Sequence, residues 1–180
     1  MINFNVVSKY DLLYSVFLNE GLAASELLKK LGKTPYEYDA FYKRLKQLAE
    51  EGFLKVEEKK YFLQKTEKSI KLIRILDFCV RNAIDYNELF LDKTLEFIKI
   101  GLEKKHATGE HFNSKTIARI SSFLSKHGFL LIESRKPFSG TLVYSDFLKN
   151  VVELLKGEAR INHKNIFEGA DEENLNLKLD

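Results

Sequence analysis

Residues 45–57 read LKQLAEEGFLKVE and residues 121–133 read SSFLSKHGFLLIE; the same order of residue types thus recurs at a spacing of 76 residues. In each stretch a helix-like run ends at a glycine. An aromatic residue and a leucine follow, and strand-forming residues begin. Glycine tolerates the left-handed backbone conformation that most readily closes a helix. Gly-Phe-Leu at such a point turns a helix into a strand within three residues. The chain must therefore place a helix end against the start of a sheet twice, and the spacing is that of a small domain. One structural unit used twice is the simplest reading.

The segments around the first copy extend that unit. SKYDLLYSVFLNE (8–20) sets Leu12, Leu13, Val16 and Phe17 at helical spacing, with Ser8 or Asp11 as cap and Gly21 as stop. In ASELLKKLG, Ser25 is the expected N-cap and Leu27, Leu28 and Leu31 form a short apolar face. Thr34-Pro35-Tyr36-Glu37 is a capping box with proline at the first helical position, and it opens a helix with Phe41, Leu45 and Leu48 inward. FLKVEEKKYFL reads as a two-stranded hairpin with a charged tip at Glu57 to Lys60. Thr66 caps a long helix whose apolar side is Ile70, Ile73 and Leu76 to Cys79.

The second copy is less regular. LDKTLEFIKIGLEKK predicts a helix with Leu95, Ile98 and Leu102 inward. NSKTIARISSFLSKHG predicts another, capped by Asn113 and stopped by Gly128, with Ile117, Ile120 and Leu124 inward. FLLIESRKPFSGTLVYS is a hairpin with a basic tip, and Ser145 caps a closing helix. Between Lys105 and Asn113 only HATGEHF remains, too short for a helix. Either Ile84 to Phe90 supplies the missing helix or this unit is degenerate. The implied boundaries are 1–82, 83–157 and an acidic, partly disordered tail at 158–180.

LLKKLGKTPYEYDAFYKRLKQLAEEGFLKVEEKKYFL (27–63) resembles the winged helix-turn-helix families of bacterial and archaeal regulators. A short helix ending in Leu-Gly, a capped third helix, the Gly-Phe-Leu junction and a charged wing carry the resemblance. It covers about 8–82 well and 84–156 in part. The turn before the third helix is about one turn longer than usual, and the second copy lacks a clear short helix. The expected fold is mainly α with small β-hairpin wings (α+β), as tandem winged-helix domains.

The resemblance implies that each third helix faces a DNA groove and each wing tip meets the backbone. On the first, the outward residues are Tyr36, Asp39, Tyr42, Lys43, Lys46 and Gln47, with Lys59 and Lys60 on the wing. The acids at Glu37 and Asp39 oppose phosphate there. On the second, Lys115, Thr116, Arg119, Ser122 and Lys126 face outward with no acid among them, and Arg135 and Lys136 precede Pro137 on the wing. Residues 104–136 hold seven Lys or Arg against Glu110 and Glu133, although the whole chain is only +3. That half is expected to supply most of the electrostatic attraction to phosphate.

Signatures of catalysis are missing from the sequence: there is no GxGxxG, GxxxxGK[ST], CxxC or HExxH. His106, His111, His127 and His163 have no recognised metal-ligand spacing. The single cysteine, Cys79, sits in an apolar helical run, which predicts a core residue in a cytoplasmic protein. No apolar run approaches the roughly 20 residues that span a bilayer. The expected function is that of a non-enzymatic transcriptional regulator, without cofactor or metal, that binds double-stranded DNA as a dimer. The alternative is a protein-interaction module with little DNA affinity, a scaffold, antitoxin or regulatory arm. Tyr36, Tyr38 and Tyr42 favour it, since tyrosine-rich patches suit protein contacts, although Tyr38 is expected to face the core.

Overall fold

The computed structural model describes residues 8–33 and 38–155. The Thr34 to Glu37 capping box, the outward placement of Tyr36 and the acidic tail at 158–180 lie outside the described residues. The protein is mixed α+β, and the chain divides into two compact units, Met1–Asn87 and Glu88–Asp180.

The first unit begins with α1 (Lys9–Leu18). Ser8 Oγ accepts the Asp11 N–H at 3.1 Å and the Asp11 carboxylate accepts the Ser8 N–H at 2.8 Å, a reciprocal capping box. Leu12, Leu13 and Val16 are buried, whereas Phe17 is left exposed. Then come β1 (Leu22–Ala23) and α2 (Ala24–Lys30). Ser25 is not the cap of α2; it lies inside the helix, and the Glu26 carboxylate accepts the Ala23 N–H at 2.8 Å instead. In α3 (Tyr38–Glu50), Phe41, Leu45 and Leu48 face inward. The hairpin of β2 (Leu54–Glu57) and β3 (Lys60–Leu63) turns through Glu58 and Lys59, both at positive φ, the two-residue turn that suits strand twist. β1 pairs with β3, so the sheet order is β1-β3-β2. α4 (Glu67–Arg81) follows, capped by the Thr66 hydroxyl.

α5 (Tyr86–Leu89) spans the boundary between the units. The second unit continues with α6 (Asp92–Lys104), β4 (Ala107–Thr108), α7 (Ser114–Lys126), β5 (Leu130–Arg135) and β6 (Phe138–Leu142). A helix over 145–155, α8, closes the described chain. The strand order is β4-β6-β5, the same as in the first unit with β4 in the place of β1. No helix lies between α6 and α7, so α2 has no counterpart there. Each predicted hairpin thus gains a third strand. At two residues, β1 and β4 are too short to show the alternation that marks a strand in sequence.

The repeated Gly-Phe-Leu forms the same junction in both units. Gly52 and Gly128 adopt φ of +76° and +73°. Phe53 N–H reaches back to Leu48 O at 2.9 Å, and Phe129 N–H to Leu124 O at 2.8 Å. Gly52 N–H bonds Ala49 O and Gly128 N–H bonds Ser125 O, each at 3.1 Å, completing a Schellman closure. Phe53 and Phe129 are then driven into the two cores, each worth about 1.5–3 kcal/mol of burial.

Two helices bury their expected faces only in part, with Ile73, Leu76, Cys79 and Ile98 inward as expected. α4 buries Ser69, Leu72, Ile73, Ile75, Leu76 and Cys79 but exposes Ile70 and Phe78. α6 buries Thr94, Phe97, Ile98 and Gly101, leaving Leu95 and Leu102 half-buried. In both cases small residues lie on the inner ridge. A Cβ at Gly101 would sit 2.8 Å from Leu142 Cδ1, so its absence lets β6 approach α6. Ile117 of α7 is likewise only half-buried. No helix among the described residues is long and apolar enough to cross a membrane.

Candidate nucleic-acid interface

α7 is aligned by its inner ridge of Ile120, Ser121 and Leu124 and started by Asn113, whose side chain accepts the Thr116 N–H at 2.8 Å. That fixes Lys115, Arg119, Ser122 and Lys126 on the exposed side, with Thr116 half-buried at the margin. The β5–β6 hairpin carries Arg135 at the end of β5 and Lys136 in the turn, both exposed. Between α7 and this hairpin runs a cleft of about 1050 Å³. Ser122, Ser125, Lys126, Arg135 and Lys136 line it, and Ile132 and Phe138 supply apolar walls.

The structure therefore gathers four of the expected residues, Ser122, Lys126, Arg135 and Lys136, around one concavity. Lys115, Thr116 and Arg119 are not part of its lining. Arg119 Nη1 donates to Glu88 Oε1 at 2.8 Å, so the face expected to be free of acids receives one from α5. Lys115, Lys126, Arg135 and Lys136 form no ion pair among the described residues.

Glu110 is the acid in the cleft lining, and Lys104 occupies it at 3.0 Å. That hydrogen bond and the lysine charge hold the Glu110 carboxyl below the usual carboxylate range. Deeper in, Thr108 Oγ1 is buried without a hydrogen-bond partner among the described residues.

The corresponding face of α3 differs. Tyr42, Lys43, Lys46 and Gln47 are all exposed. Lys46 Nζ lies 3.7 Å from Glu50, and Gln47 donates to Glu51 at 2.8 Å. Tyr38 does not enter the core: it is 36% exposed and stacks on Tyr42 with ring centroids 5.9 Å apart. By spacing it lies on the same stripe as Phe41, Leu45 and Leu48, but as the first residue of α3 it sits at the exposed end of that ridge. Tyr61 is the buried member of this group, its phenol pushed up by burial and then by Tyr42 and Tyr38. Lys59 and Lys60 are exposed on the hairpin.

Sequence reasoning missed Glu88, Thr108 and Ser125. Ser125 was within reach, three residues from Ser122 on the same helix. Glu88 lies 31 residues from Arg119, beyond any local pattern.

Cys79 is fully buried, and burial followed by the nearby Asp85 charge pushes its thiol to about 12, so it is not a nucleophile at neutral pH. No group of three or more His, Cys, Asp or Glu side chains is arranged to hold a metal among the described residues. No protein-family model matches the chain, and neither does any curated protein or solved structure.

Proposed function

We propose that this chain is a tandem winged-helix DNA-binding protein, a transcriptional regulator acting as a dimer, whose second unit supplies the principal contact with double-stranded DNA. The observation that carries this reading is the unmatched charge around the α7 cleft. On α4, α6 and α8, lysines are paired with acids of the same helix, as in Lys71–Glu67, Lys93–Glu96, Lys99–Glu103 and Lys149–Glu153, although among the described residues Lys29, Lys30 and Lys43 on α2 and α3 are not. α7 contains no acid. Its exposed lysines and the basic hairpin tip keep their charge available for phosphate, and the serines between them permit close approach of a sugar–phosphate backbone.

Anisotropy titrations of a labelled mixed-sequence duplex at several salt concentrations test the reading, with Lys126→Ala/Lys136→Ala beside the natural protein. Each phosphate contact contributes about −0.9 to the slope of log K against log salt. A slope near −3 is expected, shallower by about 1.8 in the double variant. Affinity weaker than about 10⁻⁴ M at physiological salt, unchanged in the variant, would remove DNA binding from consideration.

A second reading has its own support in the first unit. The exposed Tyr38–Tyr42 stack and the Glu50 carboxylate beside Lys46 suit a protein partner better than phosphate. In that reading, Tyr42→Ala abolishes partner capture and leaves the salt-dependent DNA affinity unaltered.

A further inference from the structure

We infer that Glu88 controls how much of Arg119 is offered to nucleic acid, acting as an internal competitor for phosphate. The inference rests on α7 being the DNA-facing helix. Three observations support it. Arg119 lies between Lys115 and Lys126 on the exposed side of α7, and it is the one cation of that group with an acid partner at 2.8 Å. The partner comes from outside the helix, so the pairing is not the routine i,i+4 match found on other helices of this chain. Its presentation is also fixed: Glu88 belongs to α5, whose next residue, Leu89, is fully buried.

A phosphate approaching Arg119 must displace a carboxylate from the guanidinium or meet that carboxylate's repulsion. Both effects weaken binding. The side chains are 43% and 24% exposed, so water already screens the pair and the competition is modest rather than absolute. A competitor of this strength lowers affinity without abolishing it, and it makes one potential counterion-releasing contact silent. Glu88 touches no ligand in this scheme; it acts through Arg119.

The test uses the full chain and the labelled mixed-sequence duplex. Glu88→Gln keeps the shape of the side chain and removes its charge. It should bind about three- to tenfold tighter at low salt, with the salt slope steeper by about 0.9, one added phosphate contact. The gain should vanish when Glu88→Gln is placed in an Arg119→Ala background. A purely structural role for Glu88 would give weaker binding and a lower melting temperature instead, and would overturn the inference. So would a gain of the same size in both backgrounds. If the natural protein binds and Glu88→Gln matches it, the competitor is disproved while the DNA reading stands. If neither protein binds, both are disproved.

Discussion

At the scale of single residues, Asp11 joins two functions in the first unit. One carboxylate oxygen caps α1 through the Ser8 N–H, and the other accepts the hydroxyl of Tyr86. Burial, followed by the hydrogen bond to Asp11 and its charge, raises the Tyr86 phenol far above the ordinary tyrosine value. The folded state therefore favours the protonated phenol. Its contribution to stability is complete below about pH 10, where an unfolded tyrosine still holds its proton, and is lost as pH rises beyond that. Cys79, pushed to about 12, acts in the same direction from the lower value of an unfolded thiol. Urea unfolding should show flat stability from pH 7 to 8 and a decline above pH 9, steepening past 10. Each proton retained only by the folded state adds about 1.4 kcal/mol per pH unit to that decline. Tyr86→Phe should start from lower stability but lose part of the steepening above pH 10, the rest remaining because burial also raises the Tyr61 and Tyr14 phenols.

Helix ends show how much a single conformation can decide within an element. Gly128 closes α7 at φ +73°, and nothing lies within 4 Å of where its Cβ would be. The cost of Gly128→Ala is then confined to the backbone, about 1 kcal/mol. α4 ends in the same closure with Ala83 at φ +52°, its N–H on Val80 O at 3.2 Å and Ile84 N–H on Cys79 O at 2.8 Å. Ala83→Gly should stabilise by up to about 1 kcal/mol, opposite in sign to Gly128→Ala at an equivalent position. Thermal melts of the two variants check the pair. The glycine closure was legible in sequence because glycine announces it; the alanine closure was not. The same contrast runs through the helices. Phe41, Leu45 and Leu48 identify the inner face of α3 because large apolar residues occupy the whole ridge. In α4 and α6 the ridge includes Ser69, Thr94 and Gly101, which carry no hydrophobic signal, so only part of each face is legible: Ile73, Leu76, Cys79 and Ile98 are buried as expected, and Ile70, Leu95 and Leu102 are not. Of the candidate site, the basic face of α7 could be read from spacing. The cleft beside it and the Glu88 partner arise only when distant segments meet.

On the scale of the whole molecule, the two units share strand order and junction but differ in the acids of the helix before the hairpin, which α3 carries and α7 lacks. The first pairs Lys46 with Glu50 on α3 and Lys55 with Glu57 on the hairpin, and leaves Lys43, Lys59 and Lys60 without acid partners among the described residues. The second leaves four cations without acids around α7. One feature also separates the units experimentally. The lone thiol, Cys79, belongs to the first unit, is fully buried, and keeps its proton to about pH 12. A thiol reagent at neutral pH can react with it only when that unit opens, so the labelling rate becomes a clock for the opening of the first unit. Substitutions confined to the second unit, such as Gly128→Ala, should lower the melting temperature yet leave the labelling rate unchanged. If the rate rises with them, the two units open as one cooperative body. The chain thus carries its own spectator, a single atom of sulfur buried in one half of the protein and placed to register its opening.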